Sequence, residues 1–294
     1  MPARAMTPLR YRRIALIALG AQILIVVTGA AVRLTGSGLG CSDWPTCEDD
    51  QVVAPLEGHA WIEFGNRLMS FVVLATVVAA VWGARRLSPA RPDLVRLAWG
   101  LVGGVLTQVV LGGITVRTEL SPPWVIAHFL VSMVLIAVAV VLHDRAARLA
   151  SPARPVPVEG FDRARRLSAV AVALTAAVLV AGTLVTGSGP HGGDPGAERL
   201  PLLVREVTQV HGVLAMALLL VVGATTVVAW RLPDVPLRAE LLLAALVGQI
   251  AVGYAQYFTG VPALLVALHV FGATLVWCAV LRLALAVRAG AVAD

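Results

Sequence analysis

Two histidines, His128 and His269, each sit in an apolar run, and each follows a glutamine of the preceding apolar run, Gln108 or Gln249, by 20 residues. Prolines come shortly before both, at Pro122-Pro123 and Pro262, and a Thr-Gly-Ser-Gly tetrad recurs at 35–38 and 186–189. The pattern reads as two copies of one four-helix unit with a histidine at a matching place in each. Neutral imidazole is a common metal ligand, and inward imidazoles in a helical bundle are natural holders of a planar iron cofactor. Matching the halves lays Glu63-Phe64-Gly65-Asn66-Arg67-Leu68 over Thr208-Gln209-Val210-His211-Gly212-Val213. The C-terminal half then offers an imidazole pair, His211 and His269, where the N-terminal half offers His128 and the amide of Asn66. His211 precedes Trp230 by 19 residues, about 28 Å of helix, and His269 precedes Arg282 by 13, about 20 Å. Both therefore fall in the outer half of a bilayer.

Each candidate has a plainer reading. A lone histidine in a membrane helix is more often a hydrogen-bonding residue than a ligand, although ionisable groups there are costly and tend to be functional. His143, beside Asp144 and Arg145, reads as an interface residue, and His191, among glycines, as surface. His59 lies two turns before Asn66 if its helix starts that early. Glu63 and Asn66, three apart, share a helix face. Glu63 is either an interfacial partner of Arg67 or a base and electrostatic stabiliser at the edge of a pocket. Arg33, Arg67 and Arg117 sit at outer helix ends, where they can meet carboxylates of a bound cofactor or lipid phosphate.

The elements that must position these residues are membrane helices. The chain is 59% hydrophobic and 14% charged, with a mean hydropathy of +0.86, whereas a soluble domain carries about 25% charge. Apolar stretches fall near 14–32, 62–83, 97–116, 124–143, 167–186, 207–229, 241–258 and 263–281, each close to the roughly 20 residues that span a bilayer. The expected fold is an all-α integral membrane protein of eight helices: a bundle over 1–150, a Pro-rich linker over 151–162 and a second bundle over 163–294. The two bundles form a parallel repeat about an axis along the membrane normal. No small-residue cleavage site follows the first apolar run, which reads as a retained helix.

All 23 basic residues are arginine. Arg4, Arg10, Arg12, Arg13, Arg85, Arg86, Arg91, Arg96, Arg145, Arg148, Arg154, Arg163, Arg165, Arg166, Arg231, Arg238, Arg282 and Arg288 share one side. The positive-inside rule places that side, with both termini and the linker, in the cytoplasm. The basic pI is thus a topology signal, not one for nucleic acid. The opposite 1–2 loop is acidic and holds Cys41 and Cys47. There the pair can form a disulfide, stay free, or bind metal with His59 if acidic residues complete the site. Cys278 reads as a small core residue.

Arg33-Leu-Thr-Gly-Ser-Gly-Leu-Gly-Cys-Ser-Asp-Trp-Pro-Thr-Cys47, Ile62-Glu63-Phe64-Gly65-Asn66-Arg67, and His128, His211 and His269 together resemble the heme A synthase family, in its bacterial, Gram-positive type. The resemblance covers nearly the whole chain. It implies oxidation of the C8 methyl of heme O to a formyl group by successive hydroxylations, giving heme A for cytochrome oxidase. It implies a b-type heme on His211 and His269, substrate heme near His128, Asn66 and Arg67, Glu63 as the essential carboxylate, and a Cys41–Cys47 disulfide. The partners it implies are heme O, membrane lipid, a quinone or other electron acceptor, heme O synthase and a second copy of the chain. Many members of the family have histidine where this chain has Asn66, and an amide is a poor iron ligand. His128 then stands as the sole protein ligand to substrate iron, or His59 substitutes.

Three other readings compete. A membrane cytochrome passing electrons to quinone needs the His211/His269 heme but no substrate pocket. A transporter of parallel repeats needs a central polar pathway. A thiol–disulfide oxidoreductase needs a second cysteine pair to relay electrons.

Overall fold

The computed structural model describes residues 6–48, 51–151, 161–232 and 235–290. Most of the linker expected over 151–162 lies outside them, as do Arg4, Asp49, Asp50 and Arg154. Among the described residues the chain is all-α: α1 (Pro8–Leu34), α2 (Gly58–Arg85), α3 (Pro92–Arg117), α4 (Pro122–Ala150), α5 (Phe161–Ser188), α6 (Val204–Ala229), α7 (Pro236–Phe258) and α8 (Ala263–Gly290). All eight are long and apolar enough to cross a membrane. Most outrun the apolar stretches read from the sequence. Proline is tolerated in a first helical turn, where the missing N–H has no partner to lose, and Pro8, Pro92, Pro122 and Pro236 start α1, α3, α4 and α7. Arginine, a good helix former, closes α2 and α3 at Arg85 and Arg117.

The chain divides into two units. In the first, each of α1 to α4 packs on its neighbour in sequence, and α1 closes the ring against α4. Lipid is as apolar as leucine, so helices associate by close packing of small residues. Ala15, Ala18, Ala80, Ala98, Ala139 and Ala146 are fully buried. In the second unit α5 to α8 follow the same cyclic order, with α5 against α8. Thr225 and Thr274 are fully buried there and return their hydroxyl protons to the carbonyls of Val221 and Val270, one turn back.

The segment Pro190–Arg199 packs with the first unit, although it lies between α5 and α6 in sequence. Gly38 N–H donates to the Gly193 carbonyl at 2.8 Å, and a Cβ on Gly38 would come within 2.7 Å of Leu120 Cδ1. The repeated tetrad is not repeated in structure. Thr35 caps the end of α1 and the chain turns away at Gly36, φ +67°, whereas Thr186, Gly187 and Ser188 are still inside α5.

Candidate functional site

His211 and His269 face one another across the second unit, from α6 and α8, with ring centroids 6.2 Å apart and planes at 66°. Each stands in the second turn of its helix. His211 Nδ1 lies 3.1 Å from the carbonyl oxygen of Val178 on α5. A carbonyl only accepts, so Nδ1 carries the proton and Nε2 keeps the lone pair that a metal needs. His269 Nδ1 is buried without a hydrogen-bond partner among the described residues. Iron held between two imidazole nitrogens at roughly 2.0 Å each, with about 1.1 Å more to each ring centre, would set the centroids about 6.2 Å apart. The pair therefore fits bis-imidazole ligation of a heme.

Glycines make room for both rings. A Cβ on Gly182 of α5 would come 3.2 Å from His211 Cε1, and one on Gly253 of α7 would come 3.2 Å from His269 Cε1. The first unit repeats this arrangement. Gly112 of α3 lies under His128, 3.7 Å from Cε1 on the same measure, and Gly29 of α1 lies 3.9 Å from Asn66 Nδ2. Asn66 thus occupies the place of an imidazole, and its amide oxygen accepts from Thr28 Oγ1 at 2.8 Å.

The glutamines that mark the two halves reach the histidines themselves. Gln108 Nε2 donates to the His128 carbonyl at 2.9 Å and also to Ser132 Oγ, which in turn donates to the His128 carbonyl at 3.0 Å. Gln249 Nε2 donates to the His269 carbonyl at 2.5 Å. Sequence reasoning used these glutamines only as markers of duplication. The signal it missed is Gln-x-x-x-Gly, at 108–112 and at 249–253, which places an amide and a bare backbone one turn apart on one helix face.

Glu63 lies on α2 with 5% of its surface exposed. Oε2 accepts from Cys41 N–H at 2.8 Å, and Oε1 accepts from Arg67 Nη2 at 2.6 Å and Nε at 3.1 Å. The rest of the Arg67 fork donates to the carbonyls of Asp43 (2.9 Å), Thr46 (2.8 Å) and Cys41 (3.4 Å). These bonds tie the 1–2 loop to α2. Cys41 and Cys47 form a disulfide, and both are buried. Gly40 cannot carry a side chain, because its Cβ would run into the backbone of His59 and Ala60. On the other flank Trp44 lies against Gly113 of α3, and Arg117 Nη2 donates to the Trp44 carbonyl at 3.0 Å. Arg117 and Arg67 are therefore both engaged with the loop.

His59 bonds through Nδ1 to Ser37 Oγ at 2.8 Å, and Ser37 to Thr35 Oγ1 at 2.8 Å. It lines a cleft of about 460 Å³ with Glu48, Glu57 and Asp194. No group of three or more potential metal ligands occurs among the described residues.

Eight membrane-length helices, an imidazole pair at heme-ligating separation and a disulfide-closed loop buttressed by a buried ion pair define a multi-pass membrane protein of the kind that can hold heme. The chain belongs to the COX15-CtaA family of cytochrome oxidase assembly proteins, whose profile matches residues 12–191. Among curated proteins it is similar to heme A synthases. It is 34% identical to that of Geobacillus thermodenitrificans over 106 residues, 36% of this chain and 33% of the relative. For Geobacillus kaustophilus the figures are 30% over 141 residues, 47% and 42%. For Symbiobacterium thermophilum they are 38% over 79 residues, 26% and 25%. The chain thus aligns with less than half the length of each of these relatives.

Proposed function

We propose that this protein is a heme A synthase, converting the C8 methyl of heme O to a formyl group for cytochrome oxidase. The observation that carries the reading is the His211–His269 pair at 6.2 Å within a chain of this family. In this reading the pair holds a resident b-type heme, which supplies a one-electron acceptor when bound. Substrate heme O occupies the first unit, with His128 as its protein ligand and Asn66 opposite. The methyl loses four electrons over two hydroxylations, and the resulting gem-diol loses water. The electrons pass on to a quinone or other acceptor.

Glu63 is the carboxylate set beside the reacting methyl. As electrons leave that carbon, positive charge builds on it, and a fixed carboxylate in a poorly solvated pocket stabilises such charge strongly. In this reading the carboxylate also takes a proton from attacking water. Arg67 holds the carboxylate in place. The arginine bias puts both termini in the cytoplasm and the 1–2 loop outside, where Cys41–Cys47 meets an oxidising compartment. Association with heme O synthase, or between copies of the chain, would pass the poorly soluble substrate on without release to water.

Heme extracted from cells producing the protein tests the activity. Heme O, its hydroxylated intermediate and heme A are separated chromatographically, and pyridine hemochrome spectra of the purified protein identify what it holds. Heme A formation with a low-spin b spectrum is expected. Bound heme b with no turnover of heme O would instead favour a cytochrome passing electrons to quinone.

A further inference from the structure

We infer that Gln108 and Gln249 are positioning residues that set the depth and rotation of the axial histidines His128 and His269. The inference rests on the reading of those histidines as ligands to heme iron. Each glutamine donates its side-chain N–H to the backbone carbonyl of the histidine on the following helix. The direction is fixed, because a carbonyl has no proton to give. That carbonyl faces the N–H four residues on within its own helix, and the glutamine adds a second donor, joined at His128 by the Ser132 hydroxyl.

An amide in the hydrocarbon region is costly unless bonded, and a leucine or methionine would fill the same volume without needing a partner. Both halves nevertheless place an amide at this point, 20 residues before the histidine. The second half also makes space for it. Gly272, one turn past His269 on α8, has no side chain where the Gln249 amide lies, and a Cβ there would collide with Gln249 Oε1. One turn along the glutamine's own helix, Gly112 or Gly253 receives the Cε1 edge of the ring. The histidine is thus gripped at two points, its carbonyl by the amide and its ring edge by the glycine. A helix that slid or rotated about its axis would break the first grip and clash at the second. An axial ligand needs such restraint because groups bonded behind metal ligands orient them and tune the metal.

Gln249→Met keeps length and removes the donors. In the purified full-length protein it is expected to retain its heme, broaden the low-spin electron paramagnetic resonance signal and speed heme transfer to apomyoglobin about tenfold. Gln108→Met is expected to leave that signal and that rate unchanged while lowering the heme A yield of cells about tenfold. Should Gln249→Met fail to accumulate, Gln249→Leu, which likewise has no donor, carries the same expectation. A wild-type signal and transfer rate in either Gln249 variant would overturn the inference. So would equal damage to the C-terminal heme by Gln108→Met, which would mark both glutamines as general packing residues. His269→Ala is the control. If it leaves the heme in place, the ligand reading fails and the inference falls with it. If it removes the heme while the Gln249 variants are silent, only the inference fails.

Discussion

The two four-helix units use one arrangement for different ends. Each places a glycine on an odd helix beneath a polar side chain on an even one: Gly29 under Asn66, Gly112 under His128, Gly182 under His211, Gly253 under His269. In the second unit both side chains are imidazoles, and their spacing fits an iron held on two faces. In the first unit one is an amide bonded to Thr28, so in the proposed reading only one face is ligated by protein. The first unit alone carries the disulfide loop and the buried Glu63–Arg67 pair. The units thus differ in the side chain at one helix position and in the disulfide loop that the first unit carries.

The comparison can be broken most severely at the imidazoles. His211→Ala and His269→Ala are each expected to remove the low-spin b heme, with heme content falling about tenfold or more, while His128→Ala leaves it in place. Normal reduced spectra in both of the first two variants would end the assignment. Glu63→Gln is the next largest. It keeps size but removes the charge and replaces one acceptor oxygen with a donor, and should reduce heme A formation by about a hundredfold. Because Glu63 also ties down the loop, the variant is read alongside its disulfide content and b-heme spectrum, both expected to be intact. Wild-type heme A from this variant would remove Glu63 from the chemistry.

Asn66 sharpens the comparison rather than breaking it. Asn66→His should make the first unit behave like the second, giving a second low-spin signal when heme O is bound. Asn66→Ala should cost less than His128→Ala; equal losses would show that the amide matters as much as the imidazole. The smallest expected effect belongs to the loop. Cys41→Ser with Cys47→Ser releases a short closed loop, costing about 2 kcal/mol and lowering the thermal midpoint in detergent by about 5 °C. A cysteine introduced at the exposed Leu56 of the same loop (Leu56→Cys) should be labelled by an impermeant thiol reagent in intact cells. Labelling only in broken membranes would reverse the proposed orientation.

Number and type of elements were readable from the sequence, because a membrane helix must satisfy its own backbone and be apolar along its whole span. The histidines were readable because a polar group in such a run stands out. The tetrad shows where this kind of reading stops. The same four residues end α1 at one place and continue α5 at another, since a turn depends on what receives the chain after it. At 35–38 the receivers are Gly193 and Leu120, far away in sequence.

The sequence by itself determined the eight spans, the arginine asymmetry and the matching places of His128 and His269, all set by composition and spacing along one chain. Tertiary structure alone decided that Gln108 and Gln249 grip histidine carbonyls, that Glu63 and Arg67 hold the disulfide loop, and that His211 and His269 stand 6.2 Å apart. The physical reason is that a hydrogen bond or a ligand pair between helices depends on their relative rotation and depth. Those are fixed by small-residue packing around the whole ring of four helices, which no single segment encodes.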